Sequence, residues 1–253
     1  MAKGPVALGS LFPVKVQWCG PKSFGSADAQ DVCFGDDMLG YVIKKDSPPS
    51  GPHCEWFCAN LATSCGINCP NFNVIDHTDG HQWFGSQWIP GQVADWWLKA
   101  EAGQIAIADL SVQLSRLYVF DLFMANVDRH LRNYLIIPEG NSHEVYAMDF
   151  GRSWRFNGFP PSPLPMDSTQ NTVQATRYLM AKFPNYFDVG QAESVLDKIN
   201  LISAKTIEDI IDKQPASWLT AADKADTIAW WTTKNVTDRT DVIRKGLHDG
   251  TIF

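Results

Sequence analysis

Two aspartates and an asparagine occur at a spacing that suits phosphoryl transfer. Asp128 lies in the segment NVDRHLRN, Asn133 follows five residues later, and Asp149-Phe150-Gly151 comes after two predicted strands joined by a polar turn. In phosphoryl transfer one aspartate orients the hydroxyl nucleophile and accepts its proton, while an asparagine and a second aspartate hold Mg²⁺ against the nucleotide phosphates. The order of these residues therefore predicts Asp128 as catalytic and Asn133 and Asp149 as metal ligands.

The same segments resemble known kinase sequences. D-R-H-x-x-N followed by D-F-G is similar to the phosphoinositide 3/4-kinase core, and N-x-D-x-H-L-R-N is closer still to the HipA-like serine/threonine kinases. The resemblance covers about residues 15–155. It implies an α+β, bilobal protein kinase-like fold in one domain, 1–253, with a small β-rich N-lobe at about 1–89 and a larger helical C-lobe at about 92–253. It also implies ATP and Mg²⁺ as cofactors and a hydroxyl group as the phosphoryl acceptor.

The resemblance extends to a strand lysine in the small lobe. Tyr41-Val42-Ile43-Lys44 resembles the kinase motif V-A-I-K, which implies that Val42 lines the adenine pocket and that Lys44 contacts the phosphates and takes part in catalysis. Glu55, on the next predicted helix, is placed to pair with Lys44. Because side chains alternate along a strand, Lys45 is expected to point outward on the face of Ile43.

The segments expected to form the phosphate loop and the interlobe linker match kinase sequence motifs less well than the segments above. The segment GPKSFGS, residues 20–26, stands where a phosphate-covering loop belongs, but it matches neither G-x-G-x-x-G nor G-x-x-x-x-G-K-[ST]. Glycine, serine and exposed backbone N–H groups can still cradle phosphate. The predicted nucleotide contacts here are Ser23, Gly25 and Ser26, with phosphorylation of Ser23 or Ser26 as an open possibility. In the linker they are Trp88 and Ile89.

Several of these residues have a plainer explanation. Asp128 and Asn133 could each cap a helix or a turn. Arg129 is open between a catalytic role and a simple ion pair with a carboxylate. His130 is kept as a catalytic candidate, although it could equally orient the loop or be structural. His77 and His81 lie in a predicted turn and are expected to be structural.

The composition of the chain limits the classes of molecule that it could bind. The chain has 253 residues and a net charge of −7, with 45% apolar and 19% charged residues, which argues against disorder and against general nucleic-acid binding. No apolar run suits a membrane span and no secretory signal is evident, so a soluble, cytoplasmic protein without membrane association is expected.

The predicted substrate is a protein serine or threonine, or a small molecule. An antitoxin-like protein partner is possible by resemblance. Alternatives are a pseudokinase that regulates a protein partner, or a small-molecule or lipid kinase.

The six cysteines invite a metal interpretation. Four of them follow C-x3-C-x6-C-x3-C, namely Cys54, Cys58, Cys65 and Cys69. Structural zinc sites usually use C-x2-C pairs, and here the first two cysteines fall in an amphipathic helical stretch. We therefore expect packed core cysteines, and a cytoplasmic location makes a disulfide framework improbable.

Apolar periodicity and turn residues give the elements that must position this chemistry. Strands are predicted near 14–18, 32–45 (as a hairpin), 71–76, 81–89, 134–137 and 145–149. Helices are predicted near 53–65, 107–125, 171–183, 190–201, 204–213, 217–232 and 236–247.

Overall fold

The computed structural model describes residues 13–21, 31–45 and 50–253. Its N-terminal part holds five strands and one helix. These elements are β1 (Val14–Pro21), β2 (Asp31–Gly35), β3 (Gly40–Lys44), α1 (Gly51–Ser64), β4 (Phe72–Asp76) and β5 (Gln82–Gln87). The strands close into a barrel in the order β1-β2-β3-β5-β4, in which β1 pairs parallel to β4 and the other neighbours are antiparallel.

The C-terminal part is helical apart from one hairpin. Its elements are α2 (Trp96–Glu101), α3 (Ile107–Phe123), β6 (Tyr134–Glu139), β7 (Ser142–Ala147), α4 (Asn171–Lys182), α5 (Val189–Asn200), α6 (Ala204–Asp212), α7 (Ala221–Trp231) and α8 (Asn235–Asp249). The predicted α+β, bilobal organisation, with a small β-rich lobe before a larger helical lobe, is confirmed. In the described ranges, no helix is long and apolar enough to cross a bilayer.

The barrel interior decides which face of β3 meets the cleft. Tyr41 and Ile43 are buried inside the barrel, with Ile43 fully inaccessible, so Val42 and Lys44 lie on the opposite face. The expectation that Ile43 faces outward is therefore wrong, because the barrel closes over the side of β3 that a flat sheet would expose. Lys45 follows the end of the strand and pairs with Asp31 at 2.6 Å.

The helical lobe is built around α3, which is buried along most of its length and packs against α5, α8 and β7. Helix α1 lies against both lobes. Its residues from Gly51 to Ala62 are buried, and it ends as expected just before Gly66, whose φ of +77° is a conformation that glycine adopts at little cost. The helix that carries Glu55 is thus fixed from both sides.

The cysteines divide into two groups. Cys54, Cys58, Cys65 and Cys69 are free thiols, and the first three are buried, so the prediction of packed core cysteines is confirmed for them. Cys19 and Cys33 form a disulfide, which contradicts the expectation that disulfides would be absent. The reason is register: these two residues are directly opposite each other on the antiparallel strands β1 and β2.

Candidate active site

Three charged side chains from distant parts of the chain meet between the lobes. Lys44, at the end of β3, places its Nζ 3.0 Å from Oδ1 of Asp149 and 3.8 Å from Oε1 of Glu55. The backbone N–H of Phe150 donates to Oε2 of Glu55 at 2.9 Å. Glu55 therefore links the strand lysine to the segment after β7, and the predicted pairing of Glu55 with Lys44 is present.

Burial and charge act against each other in this cluster. Removal from water raises the pKa of Glu55 to about 7, against the lowering effect of Lys44. Burial also tends to raise the pKa of Asp149, but the charge and the hydrogen bond of Lys44 outweigh it, so that pKa is lowered. Asp149 adopts a left-handed φ of +66°, a strained conformation for a residue other than glycine, and its side chain is 40% exposed. Its carboxylate is thus ionised and accessible.

Asp128 lies in the loop before β6 and is held by groups on three sides. Arg152 Nη1 is 3.2 Å from Oδ2 of Asp128, and the side-chain amide of Asn171 donates to Oδ1. The amide of Asn133 donates to the Asp128 carbonyl at 2.9 Å, and the Asp128 N–H donates to Oδ1 of Asn126 at 3.2 Å. The carboxylate keeps 22% exposure, so it is oriented while remaining accessible.

Arg129 holds the base of this loop and is itself inaccessible. It forms a two-point ion pair with Asp121 of α3, with Nε to Oδ2 at 2.8 Å and Nη2 to Oδ1 at 3.1 Å. It also donates to the carbonyls of Asn133 and Met148, and its guanidinium lies 4.7 Å from the centre of the Phe150 ring. Of its two open roles, the structure gives it the ion pair, because a fully buried guanidinium cannot touch a substrate.

His130 caps the short turn that contains Asn133. Its ring Nδ1 accepts the backbone N–H of Arg132 at 3.2 Å, and the backbone N–H of His130 donates to the Asp128 carbonyl at 2.9 Å. These contacts give His130 a structural role as the cap of this turn. A part for His130 in proton transfer stays a prediction.

The predicted adenine contacts lie along the β3–β5 edge. Val42 is half-buried and pairs with Ser86 of β5, and the Trp88 N–H donates to the Gly40 carbonyl at 2.8 Å, so the chain after β5 runs on beside β3. Trp88 and Ile89 are half-buried there. The predicted phosphate contacts lie outside the described residues. They are Ser23, Gly25 and Ser26.

Two residues of the site were not foreseen from the sequence. Arg152 directly follows the D-F-G tripeptide, which is a positional hint, but an arginine there has many possible partners. Asn171 is the first residue of α4, 43 positions from Asp128, and nothing local announces the contact. The next residue, Thr172, accepts the backbone N–H of Arg129 at 3.0 Å, so the start of α4 contacts the loop of Asp128 at two points.

Comparison with known proteins supports the fold. No protein-family model matches the sequence, and no curated protein matches it. Among solved structures, the proinflammatory kinase CtkA of Helicobacter pylori aligns over 94% of this chain and 98% of its own, with a TM-score of 0.61 and 14% identity. The Golgi casein kinase aligns over 96% and 75%, with a TM-score of 0.51 and 12% identity. The N-terminal 618-residue fragment of LepB from Legionella pneumophila aligns over 83% and 45%, with a TM-score of 0.54 and 16% identity. The fold is therefore protein kinase-like.

Proposed function

We propose that this chain is a kinase that uses ATP and Mg²⁺ to transfer the γ-phosphoryl group to a hydroxyl, that of a protein serine or threonine. The observation that carries the proposal is the meeting of Lys44, Glu55 and Asp149, together with the ion pair between Asp128 and Arg152, three residues after Asp149. Lys44 and Asp149 are 105 residues apart in sequence, yet their charged atoms are 3.0 Å apart. Phosphoryl transfer needs a lysine for the phosphates, a carboxylate for the metal and a carboxylate for the hydroxyl, and a kinase-like fold that carries all three could supply them. We treat residues 1–253 as one such domain, of HipA-like type.

The side chains fit the proposed metal. Asp149 offers an ionised, accessible carboxylate, and Asn133 offers an amide oxygen within the adjoining loop. Mg²⁺ prefers such hard oxygen ligands and usually binds few protein groups together with phosphate oxygens. When bound, the ion would neutralise charge on the phosphates. Lys44 binds the phosphate oxygens in this proposal, and Glu55 keeps the ammonium group in place.

Asp128 accepts the proton of the attacking hydroxyl. Arg152 and Asn171 each hold one of its carboxylate oxygens, so the side chain is oriented before a substrate arrives. Orientation of this kind lowers the entropic cost of bringing the reacting groups together. Arg152 is half exposed and can move aside, which allows Oδ2 to receive the hydroxyl proton.

A protein substrate is favoured over a lipid. The Golgi casein kinase, whose name specifies a protein substrate, shares the fold along most of this chain. The net charge of −7 disfavours a surface made for anionic lipid headgroups. A possible antitoxin-like protein partner stays a prediction.

A second candidate function is a nucleotide-binding pseudokinase that regulates a protein partner. One observation favours it: both carboxylate oxygens of Asp128 are already engaged, by Arg152 and by Asn171. If these contacts persist with nucleotide bound, they stabilise the ionised carboxylate and disfavour proton transfer to it.

The test compares phosphoryl transfer with ATP binding in the same preparations. We expect wild-type protein with Mg²⁺ and ATP to label itself or a serine-containing acceptor. Asp128→Asn should lower the rate by about 10²- to 10⁴-fold, the usual contribution of a general base, while ATP affinity changes little. Asp241→Asn, an exposed aspartate on α8, is the matched control. ATP binding without turnover in the wild type would favour the pseudokinase, and near-normal turnover in Asp128→Asn would remove Asp128 from the mechanism.

A further inference from the structure

A second group of chemically active side chains lies on the barrel, away from the kinase-like site. The sulfur atoms of Cys19 and Cys33 and a ring nitrogen of His77 all lie within 4.8 Å of one another. The two cysteines are opposite each other on β1 and β2, and His77 comes directly after β4, which runs parallel to β1. Among the residues that the structure describes, these three side chains form the group that could hold a metal ion.

The histidine is oriented as a metal ligand would be. Its Nε2 lies 3.5 Å from Sγ of Cys19, and its Nδ1 lies 3.0 Å from Oδ2 of Asp79 and accepts the Asp79 backbone N–H at 3.2 Å. In the tautomer that binds a metal through Nε2, Nδ1 carries the proton and directs it at the Asp79 carboxylate in place of the backbone contact, and the Nε2 lone pair then faces the sulfur. Histidines that bind metals characteristically give their other N–H to a carboxylate in this way. The side chain of His77 is only 8% exposed, so its orientation is fixed.

The separation of sulfur and nitrogen matches a tetrahedral thiolate site, whereas the two sulfurs, which are bonded in the disulfide, must move apart after reduction to bind one ion. With Zn–S near 2.3 Å and Zn–N near 2.0 Å, tetrahedral angles place the sulfur and nitrogen about 3.5 Å apart. The observed separation of Cys19 Sγ and His77 Nε2 is 3.5 Å. A disulfide alone requires neither a histidine nitrogen at this distance nor a carboxylate behind it. His81, at the end of the same turn, is exposed and contacts the Trp83 ring instead.

We propose that Cys19 and Cys33, once reduced, bind a Zn²⁺ ion together with His77, and that the disulfide is the alternative, metal-free state of the site. A dithiol or phosphine reductant supplies two electrons that break the S–S bond and give two thiols. Each thiol then loses a proton as its thiolate binds the ion, so two protons are released for each ion bound. A water molecule can complete the four-coordinate shell. The proposal is independent of the kinase function.

The zinc pattern suggested by the sequence lies elsewhere. Cys54 and Cys58 are fully buried inside α1, and burial raises the pKa of both thiols, which disfavours the thiolate form that a metal needs. The proposed site instead joins strand residues that no spacing rule would connect. It uses the two cysteines that the C-x3-C pattern leaves out.

The experiment titrates the full chain with Co²⁺ and Zn²⁺ after reduction by a phosphine. Co²⁺ bound to thiolates gives sulfur-to-metal charge-transfer absorption and intense visible bands when tetrahedral, so it reports both ligand type and geometry. We expect one ion per chain with both features, displaced by Zn²⁺, and no such spectrum from the oxidised protein. His77→Gln and Cys33→Ser should each weaken binding at least tenfold. Asp79→Asn should weaken it by about 10- to 100-fold, as is usual for a group that orients a ligand.

His81→Gln and Cys69→Ser are the matched controls, because each removes a histidine or a free cysteine outside the proposed site, and both should bind as the wild type does. Circular dichroism of each variant checks that the fold is kept. The proposal is wrong if the reduced wild type gives no thiolate band, if His77→Gln and Asp79→Asn both leave affinity unchanged, or if Cys69→Ser abolishes the band.

Discussion

Lys44 and Lys45 are adjacent in sequence but have different surroundings. Lys44 is 12% exposed and faces two carboxylates, whereas Lys45 forms one surface ion pair with Asp31. If Lys44 binds phosphate, Lys44→Ala should weaken ATP binding by about 10- to 100-fold, the value of a charged hydrogen bond of about 1.5–3 kcal/mol. Lys45→Ala should change it less than about fivefold, because surface ion pairs contribute little. Equilibrium titration with a fluorescent ATP analogue compares the two, and the reverse ranking would refute the assignment.

Glu55 should make nucleotide binding sensitive to pH. Its pKa is raised to about 7, mainly by burial, so the carboxylate loses its charge as the pH falls through neutrality. An uncharged Glu55 no longer holds the ammonium of Lys44 electrostatically. We expect ATP affinity to fall between about pH 8 and 6 in the wild type. Glu55→Gln should bind more weakly at pH 8 and lack this step, whereas an equal step in both proteins would assign the titration to another group.

At the residue scale, candidate site residues could be proposed from the sequence where they belong to a local motif. Asp128, Asn133 and Asp149 could be named because their order and spacing follow one chemical requirement. Asn171 could not, because it reaches Asp128 from the start of a helix 43 positions away. Ile43 was assigned to the wrong face because alternation along a strand shows which residues share a face, but only closure of the barrel determines which face is inside.

At the scale of elements, the loop that carries Asp128 depends on one buried ion pair. Arg129 joins α3, through Asp121, to the carbonyls of Asn133 and Met148 at the two ends of the β6–β7 hairpin. Arg129→Met should lower the free energy of unfolding by about 3–5 kcal/mol, because it leaves a buried carboxylate without its partner. Arg132→Met, three residues along and exposed, should change it by less than about 0.5 kcal/mol. Urea denaturation measures both, and equal stability of the two variants would contradict the role of Arg129.

Element prediction succeeded where apolar periodicity was long. The helices predicted near 171–183, 190–201 and 204–213 are found within about a residue of those bounds. Helix α2, with only six residues, was missed because so short a segment shows less than two turns of periodicity. The disulfide was missed for a different reason: the pairing of Cys19 with Cys33 follows from strand register, which the spacing of the cysteines does not reveal.

At the scale of the whole molecule, the C-terminal helices hold α1 in position. Trp56 Nε1 donates to the Ile210 carbonyl at 2.9 Å, and Trp218 Nε1 donates to the Gln82 carbonyl of β5 at 2.9 Å. Nδ1 of His53 lies 2.9 Å from Oε1 of Gln214. The segment 210–218 thus connects the helical lobe to both α1 and the barrel. The position of Glu55, two residues from His53, therefore depends on residues far along the chain.

This connection places two groups with opposite pH dependence on one helix. Burial lowers the pKa of His53 to about 4, below the 6.5 of an unperturbed histidine, so its contribution to stability is present above pH 6.5 and is lost as the pH falls toward 4. The raised pKa of Glu55 acts in the other direction: its contribution is present below about pH 4.5 and is lost as the pH rises toward 7. Between about pH 4.5 and 6.5 the two slopes oppose each other in the wild type.

Removing either group should therefore expose the slope of the other. Glu55→Gln should become less stable as the pH is lowered from 6.5 to 4.5, by at most about 1.4 kcal/mol per pH unit for one proton. His53→Gln should show the opposite trend over the same interval, and the exposed His81→Gln should follow the wild-type profile. Urea denaturation at several pH values gives the three slopes. Parallel profiles for Glu55→Gln and His53→Gln would show that these groups do not control the acid response of α1, whereas slopes of opposite sign would tie that response to the contact between the two lobes.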